Sequence, residues 1–417
     1  KISHLSKVQI FSRKIYQFNV DTLLAWLFAG GHRKISADRG GETREDLLMN
    51  LTPRPNRRRF LSQITAGAGV STALSARSAM ADHHGGGKKL GFALVGLGSL
   101  STNQIAPGLL KTKHCKLAGI VTGTPAKEKV WAEKYGIPEK SIYNYENFDS
   151  IKDNPDIDVV YVVLPNSMHK EYTIRAAEAG KHVLCEKPMA NSAADCEAMI
   201  AACQKANRKL AIGYRCQFEP HHVEIMRLAR EKSFGDMKII EAGFGFKIGN
   251  PDQWRLKADL AGGGALMDVG IYALQACRYL TGEEPAVISA MEAKTDLEKF
   301  NEVDETIVWS MKFPSGVLAN CNTTYNFSGV NHCKASCSNG WFGLDPAYGY
   351  GGITGKTSKG DLKFESGDQF AGEMDDFAKC INEDKESRVA GEEGLKDLIA
   401  IEAIYKSIRT GTPVKLS

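Results

Sequence analysis

Apolar residues in this chain gather into short runs set off by glycine, proline and polar turns. Leu90–Val95, Leu117–Val121, Val159–Leu164, His182–Cys185 and Leu210–Gly213 follow one another in the first half. Val159–Leu164 is unbroken by polar residues, the pattern of a parallel strand covered on both faces. Ala193–Lys205 has helical character and lies between two of these runs. After Lys238, strand-like runs recur at Ile239–Phe246, Thr306–Phe313 and Val317–Thr324. The apolar spacing of Leu266–Tyr279 predicts a helix, and Glu393–Thr410 predicts another that packs at the end of the chain.

The turn after the first run changes this picture. Gly96-Leu97-Gly98-Ser99-Leu100-Ser101 follows Val95 at once, and a helix-like stretch leads on to Leu117–Val121. Strand, glycine loop, helix and strand in this order form a dinucleotide-binding Rossmann unit. Gly96 permits the tight turn, and Gly98 lets the backbone approach a pyrophosphate. The helix start offers free N–H groups to that anion. Ser101 stands where a third glycine is usual. The end of the second strand selects the cofactor. Thr122-Gly123-Thr124-Pro125-Ala126-Lys127-Glu128-Lys129 has no acid at the strand end to bind a ribose 2′-hydroxyl. Small hydroxyls and lysines suit a 2′-phosphate, so Thr122 and Lys127 predict NADP over NAD. Ligands of such sheets lie at the carboxyl ends of strands. That rule directs Leu164, Pro165, Asn166, His169 and Glu186 towards the cofactor, beside Gly96, Leu97, Gly98 and Ser99.

Composition excludes several classes. The chain has 417 residues, 43% of them apolar and 24% charged, which is ordinary for a globular protein. No run reaches the ~18 apolar residues of a membrane-spanning helix. The net charge of +4 is unevenly spread. Residues 1–81 carry 13 basic and 5 acidic side chains, whereas the remainder carries 40 and 44. The body therefore lacks the basic signature of a nucleic-acid binder. Ten cysteines include no Cys-x-x-Cys pair. His332, Cys333 and Cys337 lack a second ligand pair, and the alternation of Cys333, Ala335 and Cys337 fits one face of a strand. No metal site is expected.

The basic excess has an address-like order. Met49 is the first methionine; Arg57-Arg58-Arg59-Phe60-Leu61 follows, then the mildly apolar Ile64–Ala76 and the small residues of Ala79-Met80-Ala81. A charged start, a short apolar core and a small-residue cut site make a secretory signal. The paired arginines resemble the twin-arginine export signal. Residues 1–48 are thus expected to be a non-native upstream extension, and 49–81 a signal peptide read by the twin-arginine translocation machinery. The expected location is the periplasm. Residues 82–88 are expected to be a flexible linker.

The glycine loop, Leu164-Pro165-Asn166-Ser167-Met168-His169, Glu186-Lys187-Pro188, Gly213-Tyr214-Arg215 and Gly262-Gly263-Gly264 through Asp268-Val269-Gly270-Ile271-Tyr272 together resemble the Gfo/Idh/MocA oxidoreductases. The resemblance runs over nearly all of Lys89 to Val414, including Trp254-Arg255-Leu256 and Gly391-Glu392-Glu393-Gly394. It implies an NADP-binding Rossmann domain over 89–213. It also implies a substrate-binding α/β domain over 214–417, whose large, mostly antiparallel open sheet carries the contacts of a homo-oligomer, a dimer or a tetramer.

Tyr272 narrows the resemblance, because many members carry histidine there and tyrosine marks the glucose–fructose type. That type implies oxidation of an aldose, glucose, at C1 to the lactone and reduction of a second sugar, fructose to sorbitol. Tightly held NADP carries the hydride in a ping-pong cycle. Taking a hydroxyl proton needs a base within hydrogen-bond reach. Lys187 and Tyr272 are the implied acid/base pair, with their order open, and Asp268 is a substrate or orienting ligand. Asp268 and Tyr272, four residues apart on a helix, would face one side. Tyr214, Arg215, Trp254 and Arg255 are expected to line the sugar and cofactor cleft. Two other readings share these motifs: an NADP-dependent aldose 1-dehydrogenase that releases its cofactor, and an NAD-dependent glycosidase of the same fold. Tyr272 and the missing acid after Val121 argue against the glycosidase.

Overall fold

The computed structural model describes residues 88–365 and 367–416. The leader segments 1–48 and 49–81, and all but Lys88 of the 82–88 linker, lie outside the described residues.

The first sheet has six parallel strands. They are β1 (Leu90–Val95), β2 (Cys115–Val121), β3 (Ile142–Tyr143), β4 (Val159–Val162), β5 (His182–Cys185) and β6 (Leu210–Ile212), in the order β3-β2-β1-β4-β5-β6. Every residue of β1 and β4 is buried, as their unbroken apolar sequences require. The order reverses beside β1, and a crevice opens there at the strand ends. The run beginning at Val159 stops pairing at Val162, the last register partner of Cys185 on β5. Val163 and Leu164 instead enter the turn that walls the crevice. Gly96 takes φ +91°, and a side chain there would press within 2.3 Å of the Val163 carbonyl oxygen. Only glycine allows this turn. Ser101 is fully buried, and its Oγ donates to the Gly96 carbonyl at 2.6 Å. The residue in the third glycine position therefore ties the helix start to the loop.

The second sheet has nine strands. They are β7 (Met237–Gly245), β8 (Val287–Ala293), β9 (Thr306–Lys312), β10 (Leu318–Thr324), β11 (Val330–Cys337), β12 (Gly340–Leu344), β13 (Gly355–Thr357), β14 (Gly360–Leu362) and β15 (Val414–Lys415). Their order is β14-β13-β12-β11-β7-β10-β9-β8-β15, with β7 and β10 parallel and the other neighbours antiparallel. The helix Ile271–Thr281 packs on β7, and Gly391–Thr410 packs on β8 and on the helix Ala193–Lys205. Cys333 and Ala335 of β11 are buried on one face of the strand. Among the described residues no cluster of His, Cys, Asp and Glu could hold a metal ion.

The helix expected over Leu266–Tyr279 has two parts. Leu266–Gly270 is a π-helical turn, and Ile271–Thr281 continues as an α-helix. Asp304 fixes the entry: its carboxylate accepts from Gly264 N–H at 2.7 Å, Leu266 N–H at 2.8 Å and the Tyr405 hydroxyl at 2.6 Å. A side chain at Gly264 would meet the Asp304 carbonyl oxygen at 2.1 Å. Gly264 thus lets two backbones meet, while Gly262 and Gly263 leave room for the side chains of Asn191 and Tyr405. Single π turns recur at functional sites, and this one carries Asp268.

Candidate active site

The strand-end crevice is a cleft of about 560 Å³, within the usual size of a small-molecule site. Gly96–Leu100 form one end, with Thr122, Gly123, Thr124 and Lys127 beside them. Val163–Asn166 and Glu186–Lys187 form the middle. Arg215, Trp254, Arg255, Asp268, Tyr272 and Tyr350 close the other end. A dinucleotide fits the first end on this chain's own chemistry. Space above Gly98 is open, and the helical backbone begins at Ser99. Lys127 reaches across from the second strand's end to donate to the Leu97 carbonyl at 2.8 Å. Its charge thus stands beside the glycine loop, where it would favour the phosphates of a bound NADP.

The far end is a set of interlocked cations and acceptors. Lys187 Nζ donates to the Asp268 carbonyl at 2.6 Å and to its Oδ1 at 3.1 Å. Arg255 Nε and the Tyr325 hydroxyl donate to Asp268 Oδ2 at 3.1 and 2.8 Å. Burial alone would raise the Asp268 carboxyl. The charges of Lys187 and Arg255 and these hydrogen bonds outweigh it and hold the group at about 2. Its ordinary value is 3.8, so the native state favours the ionised form. Stability from this carboxylate is therefore fully present above pH ~4 and lost as pH falls through about 2. A shift of that size is worth about 2 kcal/mol. Urea midpoints between pH 5 and 2 should show wild type losing about that much more than Asp268→Asn.

Tyr272 receives Arg215 rather than Lys187. Arg215 Nε donates to the Tyr272 hydroxyl at 3.1 Å, and its guanidinium carbon lies 4.8 Å from that ring's centre. Lys187 Nζ lies 5.0 Å from the same centre. Burial pushes the phenol well above its ordinary range; Arg215 offsets part of this. Three of the remaining four Arg215 donors go to the Tyr348 carbonyl at 2.7 Å, the Gly349 carbonyl at 3.2 Å and Gln369 Oε1 at 2.6 Å. Arg215, expected at the sugar and cofactor cleft, does line it, and most of its donors are held by protein acceptors that aim the phenol. Asp268 and Tyr272 do face one cleft, although the π turn, not a regular helix, sets the spacing.

Two expected site residues lie elsewhere. His169 is fully buried under the turn, with Nδ1 2.9 Å from the Pro188 carbonyl and Nε2 2.9 Å from the Leu164 carbonyl. Burial lowers its proton affinity despite those acceptors. It braces the strand-end turns from behind and does not reach the cofactor cleft. Tyr214 points away from the sugar end: its hydroxyl donates to buried Asp397 at 2.6 Å. The chain turns at Gly213, so neighbours 214 and 215 serve opposite sides. Trp254 and Arg255 do line the cleft, with the Arg255 guanidinium 4.6 Å from the Trp254 ring centre. Pattern reading missed Tyr325 and the loop Tyr348-Gly349-Tyr350. The Tyr350 ring lies 4.7 Å from the Arg215 guanidinium. The glycine-spaced tyrosines were the available signal.

Three profiles of one family match the chain in succession: the oxidoreductase family's NAD-binding Rossmann fold over 90–214, the GFO/IDH/MocA C-terminal domain over 222–343, and the family's C-terminal alpha/beta domain over 361–416. A D-xylose 1-dehydrogenase [NADP(+)] of Haloarcula marismortui is 30% identical over 334 residues, which is 78% of this chain and 92% of that protein. The chain belongs to the GFO/IDH/MocA oxidoreductase family. Another member, D-xylose 1-dehydrogenase (NADP(+)) 2 of Haloferax volcanii, is 26% identical and covered over 99% of its length. Among solved GFO/IDH/MocA structures, the aldose-aldose oxidoreductase from Caulobacter crescentus complexed with glycerol is 48% identical. Its TM-score is 0.77, over 79% of this chain and all of that one.

Proposed function

We propose that this protein oxidises an aldose at C1 to the lactone with NADP that it retains, then passes the hydride to a second sugar. The coarser part is plain: the chain is an NADP-dependent sugar oxidoreductase of the GFO/IDH/MocA family. The finer reading rests on one observation. At the end of an NADP cleft stands a phenol held by Arg215, beside Lys187 locked to Asp268.

NADP bound here supplies the hydride acceptor. Tyr272, as a phenolate stabilised by the charges of Arg215 and Lys187, takes the C1 hydroxyl proton as hydride leaves C1 and becomes the phenol. Asp268 fixes the ammonium of Lys187 and the guanidinium of Arg255, leaving their unused donors for sugar hydroxyls. The indole face of Trp254 offers a platform for sugar C–H groups. In the return step the Tyr272 phenol gives its proton to the carbonyl oxygen of the acceptor sugar.

Retention follows from the export signal read at 49–81. A folded enzyme sent to the periplasm by the twin-arginine machinery would carry its NADP with it and meet no nicotinamide pool outside. A second sugar then serves as the oxidant. The Caulobacter relative's aldose–aldose activity favours an aldose over fructose as acceptor. Met291, Val308 and Leu318 are exposed on the uncovered face of the second sheet, and this face is proposed to pair copies of the chain.

The test uses purified protein with no nucleotide added. Glucose or xylose should raise the near-ultraviolet absorbance of reduced nicotinamide stoichiometrically, and a second aldose should reverse it. Fructose is tested beside it. The xylose dehydrogenase relatives favour a second reading, a dehydrogenase that releases NADPH. No signal until NADP is supplied, then continuous NADPH formation, would establish that reading and sink the two-sugar cycle.

A further inference from the structure

Below the middle of the cleft, three buried acidic groups meet. Tyr161 is on β4, Glu186 follows the last residue of β5, and Glu373 lies on the helix Gln369–Asn382. The Tyr161 hydroxyl oxygen is 2.8 Å from Glu186 Oε1 and 2.9 Å from Glu373 Oε1. Tyr161 has no exposed surface, and both carboxyls are buried. A phenol has one proton to donate, and ionised carboxylates only accept. Two carboxylates and one phenol would therefore leave one short oxygen–oxygen contact without a proton, in a site where unpaired charge is costly. One additional proton on a carboxyl turns both contacts into hydrogen bonds: the acid donates to Tyr161, and Tyr161 donates to the carboxylate.

The surroundings say which carboxyl is which. Glu186 Oε2 accepts from the Lys187 backbone N–H at 3.3 Å, and the charges of Lys187 and Arg215 act on it. Glu373 Oε2 is buried with no partner among the described residues. Glu373 has Arg215, Cys216 and Glu186 within its field, and Cys185, Tyr272 and Tyr350 are further titratable groups near Glu186. Burial raises both carboxyls, and Glu186 raises Glu373 further. The backbone donor and the two cations at Glu186, against the unpartnered Oε2 of Glu373, favour the shared proton on Glu373 and the charge on Glu186, which itself lines the cleft.

We propose that Glu186, Tyr161 and Glu373 form a proton-sharing unit that takes up the proton released when bound NADP is reduced and returns it on reoxidation. This rests on the reading of the cleft as an NADP sugar oxidoreductase site. In the oxidative step the C1–H bond breaks and its electron pair forms the new C–H bond of NADPH. The hydroxyl O–H bond breaks as the Tyr272 phenolate takes the proton, C1 and its oxygen become a carbonyl, and the Tyr272 phenol hands the proton on to Glu186, which restores the phenolate. The cleft loses the positive charge of the oxidised ring in that step, and losing a nearby positive charge raises a carboxylate's proton affinity. Reduction of the second sugar runs the same transfers in reverse. Glu186 and Glu373 act through proton bookkeeping in the site; neither is placed as the base that touches the sugar.

Two measurements decide it. Infrared spectra of substrate-free wild type and Glu373→Gln at pH 8 should differ by a neutral carboxylic acid carbonyl band, present in wild type and missing in the variant. Glutamine is neutral, similar in shape and able to donate to Tyr161, so the variant keeps the packing. No such band in the difference spectrum overturns the shared proton. Next, NADP-loaded protein is mixed with excess aldose in weak buffer containing a pH indicator, and protons released are counted per NADPH formed. Wild type and Glu373→Gln should release well under one proton; Glu186→Gln should release one. A full proton from wild type overturns the coupling. Counting per NADPH keeps the result independent of rate. If no aldose reduces the loaded NADP, the proposed function fails, while the infrared band still decides the shared proton.

Discussion

Replacing Tyr272 with phenylalanine lowers the rate of sugar oxidation by about 10²–10⁴-fold, the contribution of a positioned acid–base group. The aromatic ring stays, so its packing beside Phe244 and Tyr348 and under Arg215 is kept. Only the hydroxyl is lost, and with it the atom that Arg215 Nε reaches at 3.1 Å. Substrate and NADP affinities should stay near wild type, because the ring lies at the reacting end and not along the glycine loop. The pH profile separates roles. A phenol raised by burial must lose its proton to act as a base, so the wild-type oxidative rate climbs with pH. In Tyr272→Phe that climb should vanish. Retention of both rate and climb would transfer the base role to Lys187.

Replacing Asp397 with alanine costs about 3–5 kcal/mol of stability, the typical penalty for removing one member of a buried ion pair. Asp397 has no exposed surface and lies on the helix Gly391–Thr410. Arg278, 2% exposed, donates Nη1 to its Oδ1 at 2.5 Å. The Tyr214 hydroxyl and Gln275 Nε2 donate to Oδ2 at 2.6 and 2.7 Å. These contacts fasten the helix that begins just before Tyr272 to the last long helix of the chain. Alanine strands the three donors together. Glu284 and Glu393 still pair with Arg278, which keeps the cost below that of a wholly orphaned guanidinium. Urea unfolding of the variant beside Tyr272→Phe tests this; equal midpoints would contradict it. The sugar-oxidation rate of the folded fraction should fall less than in Tyr272→Phe, because no cleft atom has been removed.

Much of the first domain was legible because its signals are local. β1 and β5 occupy the residues their apolar runs predicted, and the helix Ala193–Lys205 does as well. A parallel strand buried on both faces has no polar face to blur its pattern. The glycine loop was equally readable, since Gly96 sits at a backbone angle that side chains rarely adopt. Lys187, Asp268 and Tyr272 were found through the motifs that carry them, and the fold brings them to one cleft.

What remained hidden depends on contacts between distant segments. Tyr214 and Arg215 are neighbours in sequence, yet one secures a buried carboxylate and the other aims a phenol. Pattern reading assigned both to the cleft, and only Arg215 lines it, because a motif has no sidedness. His169 lies one helical turn beyond Pro165 and looked directed at the cofactor; the helix turns its ring inward to the Leu164 and Pro188 carbonyls. The π turn at Leu266–Gly270 has no signature in apolar spacing, and Asp304, some forty residues away, sets its start. Tyr161, Glu186 and Glu373 are separated by 25 and 187 residues and meet only in the folded chain. The sequence by itself determined the short buried strands and the glycine loop of the NADP site, because hydrophobic period and glycine geometry act over a few residues, and its family motifs carried Lys187, Asp268 and Tyr272 as candidates. Tertiary structure alone decided which donor faces which acceptor, because burial and charge pairing depend on groups that folding brings together from far along the chain.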